Sequence, residues 1–274
     1  MNDRPGLTAR YGTVDRAYGR RLATTPPELD GPVWMINLLA YRAQAEYADG
    51  RASSASGREA DDAYAPLESL AAVGAEVALF ADVDTQLLGD SPRWDRVGVV
   101  RYPTRRAFIE MQSRPDFVTQ HAHKDAGVSQ TIVLGGQPLP TPTVPEGAPA
   151  WADVPHPPTV DDGPVLLVHV LRFHEGAAGE SMAGYQDEAG EVAIPHGVRI
   201  AAWFAVEGTI VGDGRQWDQV RFNAFPSKAA FMAVALDPRR LAAQRQHREP
   251  AIADTYTMIL RPTIDRLTIS AASR

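Results

Sequence analysis

Two stretches of the chain carry nearly the same residues in the same order, Gly89-Asp-Ser-Pro-Arg-Trp-Asp95 and Gly212-Asp-Gly-Arg-Gln-Trp-Asp218. Gly74 precedes Trp94 by twenty residues and Gly197 precedes Trp217 by twenty, while Asp30-Gly-Pro-Val33 returns as Asp162-Gly-Pro-Val165. Such self-similarity marks a tandem repeat, in which each copy is a folding unit whose apolar face the other copy covers. A length of 274 residues holds two units of ordinary size, and a 44% hydrophobic share is that of globular material.

The same order of elements can be read in each copy. Val33 to Leu39 and Val165 to Leu171 are short apolar runs after a Gly-Pro turn, as in a buried strand. Tyr64 to Val73 and Met182 to Ala193 read as helices, with Gly74 and Gly197 as their stop signals. Second strands are expected at Glu76 to Val83 and Arg199 to Val206, and third strands at Trp94 to Tyr102 and Trp217 to Phe225, with Asp213-Gly214 as a hairpin signal. Thr104 and Ser227 are predicted N-caps of second helices, whose apolar stripes are Phe108 with Met111 and Phe231 with Val234. Final strands fall around Thr131 to Leu134 and Thr257 to Leu260. The fold class is therefore α+β, two ferredoxin-like βαββαβ repeats.

The implied organisation is a polar N-terminal arm (1–29), a first repeat (30–137), a Pro-rich linker (138–161), a second repeat (162–264) and a tail (265–274). Dense proline disfavours helix and central strand, so the linker is expected to be extended. The first copy carries an additional polar segment, Asp49 to Gly57, expected to be a mobile loop and a candidate lid.

Several function classes are disfavoured. A net charge of −7 and a pI of about 5.5 do not provide the concentrated basic face that nucleic acid requires. No apolar run is long enough to span a membrane, and the first residues lack a secretory layout, so a cytoplasmic protein without membrane partners is expected. With no cysteine, thiolate ligands and thiol nucleophiles are absent. His121-x-His123 and His247-x-Glu249 have metal-like spacing but lie near helix ends, where i and i+2 diverge by about 200°. Neither a metal nor another cofactor is expected, and phosphate loops, Gly-x-Ser-x-Gly elbows and nucleotide fingerprints are missing.

Duplication sorts the remaining candidates. Trp94 and Trp217, Asp95 and Asp218, and Gly89 and Gly212 agree between copies and are assigned to folding. Asn37 and His169 occupy matching positions inside apolar runs, where a buried polar group needs a partner from the protein or from a ligand. On the third strand of the second copy one face is polar, with Gln219, Arg221 and Asn223. That face is either a solvated edge or a pocket wall in which Arg221 and Asn223 bind a carboxylate or enolate oxygen and His169 serves as general base.

The glycine before strand two, the Val-rich third strand ending in aromatic-Pro-Ser/Thr and the Phe-bearing helix after it resemble the dimeric α/β-barrel superfamily, in its small unknown-function branch. The resemblance covers about residues 30 to 137 and 162 to 264. It implies two four-stranded sheets packed sheet to sheet, with both halves of the usual homodimer fused into an internal pseudo-dimer. A further homodimer is left open. The superfamily includes cofactor-free monooxygenases, lactone isomerases, aromatic cyclases and haem-degrading or haem-binding proteins. Some of its cofactor-free oxygenases use a first-strand Asn with a Trp and a His, which brings in Asn37, Trp94 and His121. The leading expectation is a cofactor-independent enzyme doing proton-transfer chemistry, of isomerase, cyclase or lyase type, on a small apolar or aromatic molecule. Its candidate site residues are His169, Arg221, Asn223, Asn37 and His121. The alternatives are a cofactor-free monooxygenase and a non-catalytic ligand-binding or scaffolding protein, haem-binding among them.

Overall fold

Alternating apolar residues in the strands give each strand one face for an interior and one for a helical layer. A computed structural model of the chain describes residues 10–176 and 180–272. In the N-terminal half it shows β1 (Thr13–Val14), α1 (Arg16–Thr24), β2 (Val33–Tyr41), α2 (Gly57–Ala63), α3 (Leu67–Ala72), β3 (Glu76–Leu88), β4 (Arg96–Tyr102), α4 (Arg105–Ser113), α5 (Pro115–Gly127) and β5 (Val128–Pro138). The C-terminal half contains β6 (Val165–Phe173), α6 (Glu180–Ala193), β7 (Arg199–Gly212), β8 (Gln219–Phe225), α7 (Lys228–Leu236), α8 (Pro238–Ala243), a π-helical turn (Gln244–Arg248), α9 (Glu249–Ala251), β9 (Ile252–Asp265) and α10 (Leu267–Ala272).

Eight strands close into an antiparallel barrel in the order β7-β5-β2-β4-β3-β9-β6-β8, with β8 pairing back to β7. Each half contributes four strands, ordered fourth, first, third, second, and the halves join at the edges, β3 to β9 and β5 to β7. The sheet-to-sheet expectation thus takes a particular form: the edges are hydrogen-bonded and the inner faces meet in one core. That core contains Ile36, Leu38, Val97, Val168, Phe204 and Phe222. Closure pairs each of the eight barrel strands on both sides.

Residues shared by the two halves have the same structural duties. Asp95 accepts from the Tyr41 backbone N–H at 2.7 Å, and Asp218 accepts from that of Phe173 at 2.7 Å. Asp30 and Asp162 receive the first backbone N–H groups of α4 and α7, and Thr104 and Ser227 cap those helices. Gly74 and Gly197 adopt φ of 70° and 81°, the left-handed conformation that ends a helix without a Cβ clash. Trp94 and Trp217 both pack against Tyr256 inside the barrel.

Four features depart from the sequence expectations. The N-terminal arm folds into β1 and α1, burying Tyr18 and Leu22. Tyr18 lies across the β5–β7 seam, where Gly135 faces Gly208 in register and a Cβ on either would collide with its ring. Its hydroxyl donates to Glu207, which also pairs with Arg105 of α4. The tail becomes α10, with Leu267 in the barrel core and Ser270 accepting from the Trp34 indole at 2.8 Å. The segment before Gly57 leads into a capping box on α2, formed by Ser56 and Glu59, a helix not expected from the sequence, and the helix expected from Tyr64 to Val73 forms only from Leu67, after Pro66, as α3. Finally, the linker is not free: Trp151 donates to the Gly197 carbonyl at 2.7 Å and Val154 is buried.

Candidate functional site

Because Leu166, Val168 and Val170 of β6 face the barrel core, Leu167, His169 and Leu171 face the helices. There, between β6–β8 and α6 to α8, lies a cavity of about 370 Å³. Its apolar wall includes Leu167, Leu171, Met182, Phe225, Phe231 and Val234, and its polar groups include His169, Arg221, Asn223, Tyr185, Arg240 and Arg248. Pro142 to Pro145 of the linker line it too, whereas the expected lid, Asp49 to Gly57, does not. The volume lies near the lower end of the roughly 300–1,000 Å³ found for small-molecule sites.

His169, Arg221 and Thr257 are set side by side by register, His169 pairing with Arg221 on β8 and with Thr257 on β9. His169 Nδ1 and Thr257 Oγ1 are 3.0 Å apart. If Nδ1–H donates to the hydroxyl, Nε2 keeps its lone pair. Burial, and then Arg248, Arg240 and Arg221, push the His169 pKa well below the ordinary imidazole value, so the ring is neutral near pH 7.

Arg221 is held in place. Its Nε and Nη2 donate to Gln219 Oε1 at 2.9 and 2.6 Å, and its guanidinium lies 4.4 Å from the centroid of the Trp203 ring. The Trp203 indole in turn donates to Asn223 Oδ1 at 3.3 Å. Burial, followed by the neighbouring Arg248, lowers the Arg221 pKa to about 10. Arg248, at the end of the π-helical turn, is 5% exposed, and its Nη2 is buried without a hydrogen-bond partner.

The structure does not bring Asn37 or His121 to this cavity. Asn37 faces the helical layer of the other half, its amide donating to the Met35 carbonyl at 3.0 Å. His121 Nε2 lies 2.8 Å from the Tyr11 hydroxyl and its ring packs against Tyr64 and Phe117; burial, then Lys124, lowers its pKa to about 4. Asn37 and Trp94 occupy opposite faces of the sheet, so the Asn-Trp-His grouping expected from the resemblance does not assemble. His123 meets Tyr47 and His247 meets Glu188, and among the described residues no group of His, Asp and Glu is placed to hold a metal.

Arg240, Arg248 and Tyr185 were not anticipated from the sequence. A usable signal was the spacing: Pro115 to Thr131 spans 16 residues and the matching Pro238 to Thr257 spans 19, the added residues accompanying the π-helical turn. Such turns inside helices are frequent at functional sites.

No protein family matches the chain, and no curated protein matches it. Among solved structures, a Rhodopseudomonas palustris protein of unknown function is 25% identical over 48% of this chain and 98% of its own, with a TM-score of 0.42. A candidate monooxygenase of Fusobacterium nucleatum is 10% identical, covering 85% of this chain and 92% of its own, with a TM-score of 0.47. A mutant chlorite dismutase of Candidatus Nitrospira defluvii is 14% identical, covering 93% and 99%, with a TM-score of 0.48. Among the described residues no helix is long and apolar enough to cross a membrane.

Proposed function

We propose that the chain is an internal duplication of two ferredoxin-like units forming an intramolecular dimeric α/β barrel, and that its C-terminal half performs cofactor-independent proton transfer on a small, largely apolar substrate. The shared strand order and the paired Asp, Gly and cap residues support the duplication. The observation carrying the chemistry is a neutral imidazole beside a fixed guanidinium in an apolar cavity. His169 Nε2 takes a proton from a carbon next to a carbonyl, and Arg221 with Asn223 stabilises the oxyanion that forms as the C–H electrons move onto oxygen. Returning the proton to another carbon completes an isomerisation; expelling a leaving group completes an elimination.

A cofactor-free monooxygenase would begin with the same carbanion, so it is the second reading. Haem suits the residues less well, because His169, among the described residues the one imidazole lining the cavity, faces three guanidinium groups whose charge opposes an iron cation at its Nε2.

The test is deuterium wash-in. Small enolisable aryl ketones incubated with the protein in D₂O should gain deuterium next to the carbonyl, read by mass spectrometry. His169→Gln should slow this by about 100-fold or more, the usual scale for a lost general base. Unchanged exchange in that variant would remove His169 from the mechanism.

A further inference from the structure

The cavity contains more positive charge than proton abstraction requires. Arg221, Arg240 and Arg248 all line it, and among the described residues none of the three forms an ion pair with a carboxylate. This is unlike three arginines elsewhere in the fold: Arg96 meets Asp61, Asp62 and Asp82, Arg105 meets Glu207, and Arg215 meets Asp213 and Asp254. The cavity's own carboxylates, Asp187 and Glu191, are exposed and pair with none of the three. A buried cation without a counter-ion is costly, and a binding site is a place where such a cost persists because a ligand offsets it.

The three guanidinium groups differ in what they have left to give. Arg221 has two nitrogens committed to Gln219, and Arg240 Nη1 donates to the Ala235 carbonyl at 3.1 Å. Arg248 alone has a buried donor, Nη2, with nothing to donate to. The guanidinium fork matches a carboxylate in two parallel hydrogen bonds. A phosphate ester, carrying nearly two charges and more acceptors, is poorly served by the aliphatic and aromatic walls around this point.

We propose that Arg248, with Arg240 beside it, binds a carboxylate of the ligand, so that the substrate class is a compact organic acid with an aromatic or aliphatic body. This deepens the proton-transfer reading of the same cavity: the anchored carboxylate sets the position of the rest of the molecule against His169 and Arg221. The division of labour is that Arg248 meets a charge present throughout, whereas Arg221 and Asn223 meet a charge that develops during reaction.

The experiment uses the full chain and three matched probes, 2-naphthoate, 2-naphthamide and 2-naphthyl phosphate, with binding followed by calorimetry. Wild type should prefer the naphthoate over the amide by about tenfold or more, the scale of a charge-assisted hydrogen bond. Arg248→Met should abolish the preference and His169→Gln should keep it, so that failure of the base assignment and failure of the anchor are distinguishable. Equal binding of acid and amide by wild type, no naphthoate binding, a preference surviving Arg248→Met, or tighter binding of the phosphate would each overturn the proposal. Should Arg248→Met fail to fold, Arg248→Lys keeps the charge without the fork and should weaken the preference; no change there and in Arg240→Met would count equally against it.

Discussion

The same layer, between sheet and helices, has opposite character in the two halves. In the N-terminal half Arg96 is 4% exposed and held by Asp61, Asp62 and Asp82, and Asp61 also accepts from the Tyr41 hydroxyl at 2.6 Å. In the C-terminal half Gln219 stands at the position of Arg96 and Arg221 at that of Gly98; Arg221 donates to Gln219 and has Arg240 and Arg248 with it around the cavity. Burial alone lowers an arginine pKa, and the carboxylates around Arg96 more than reverse it, so its pKa is raised while that of Arg221 falls. One half holds its arginine in a closed network of carboxylates. In the other, among the described residues, Arg221 lines a cavity without an ion pair.

Stability measurements offer the largest test of this contrast. Asp61→Ala removes a buried acceptor from Arg96 and Tyr41 and should cost about 3 kcal/mol in urea unfolding, as breaking buried pairs usually does. Arg248→Met removes a buried cation that has no ion pair among the described residues and should leave stability unchanged or raise it by about 1 kcal/mol. Similar losses in both variants would break the comparison.

Acid should act more gradually. The His121 pKa is lowered from 6.5 to about 4, and that of His169 lies well below 6.5. The unfolded chain then binds protons that the folded chain refuses, so stability is complete above pH 6.5 and declines as pH falls towards the folded values. His121→Phe should flatten the decline between pH 6.5 and 4 by the N-terminal half's share, leaving the His169 contribution; an unaltered slope would show that His121 is not held neutral.

The smallest difference is expected where the halves are alike. Asp95→Ala and Asp218→Ala each remove a strand-end acceptor with the same 2.7 Å geometry. Each should cost about 1.5 kcal/mol, the two agreeing within about 0.5 kcal/mol. A large difference would mean that the matching residues do not have matching duties.

Much of the barrel was legible because its signals are local. Period-two strands, caps at Thr104 and Ser227 and stops at Gly74 and Gly197 depend on neighbours a few residues away, and the structure shows each of them. His169 and Arg221 stood out for the same reason, as polar residues inside an apolar alternation. The arm and tail were misread because short segments with modest periodicity acquire their burial from distant partners: Tyr18 from the Gly135–Gly208 slot, and Leu267 from the end of the barrel. Asn37 shows the limit of the same logic, since its position matches His169 while its amide is satisfied by its own strand.

Sequence alone therefore determined the order of elements in each half and which strand positions are polar, since these follow from backbone periodicity and turn chemistry. Tertiary structure decided which of two equivalent layers is open. Whether an arginine is neutralised depends on carboxylates that other elements bring to it, Asp61 and Asp62 from α2 and Asp82 from β3 in one half. In the other half the π-helical turn and α8 bring more positive charge instead.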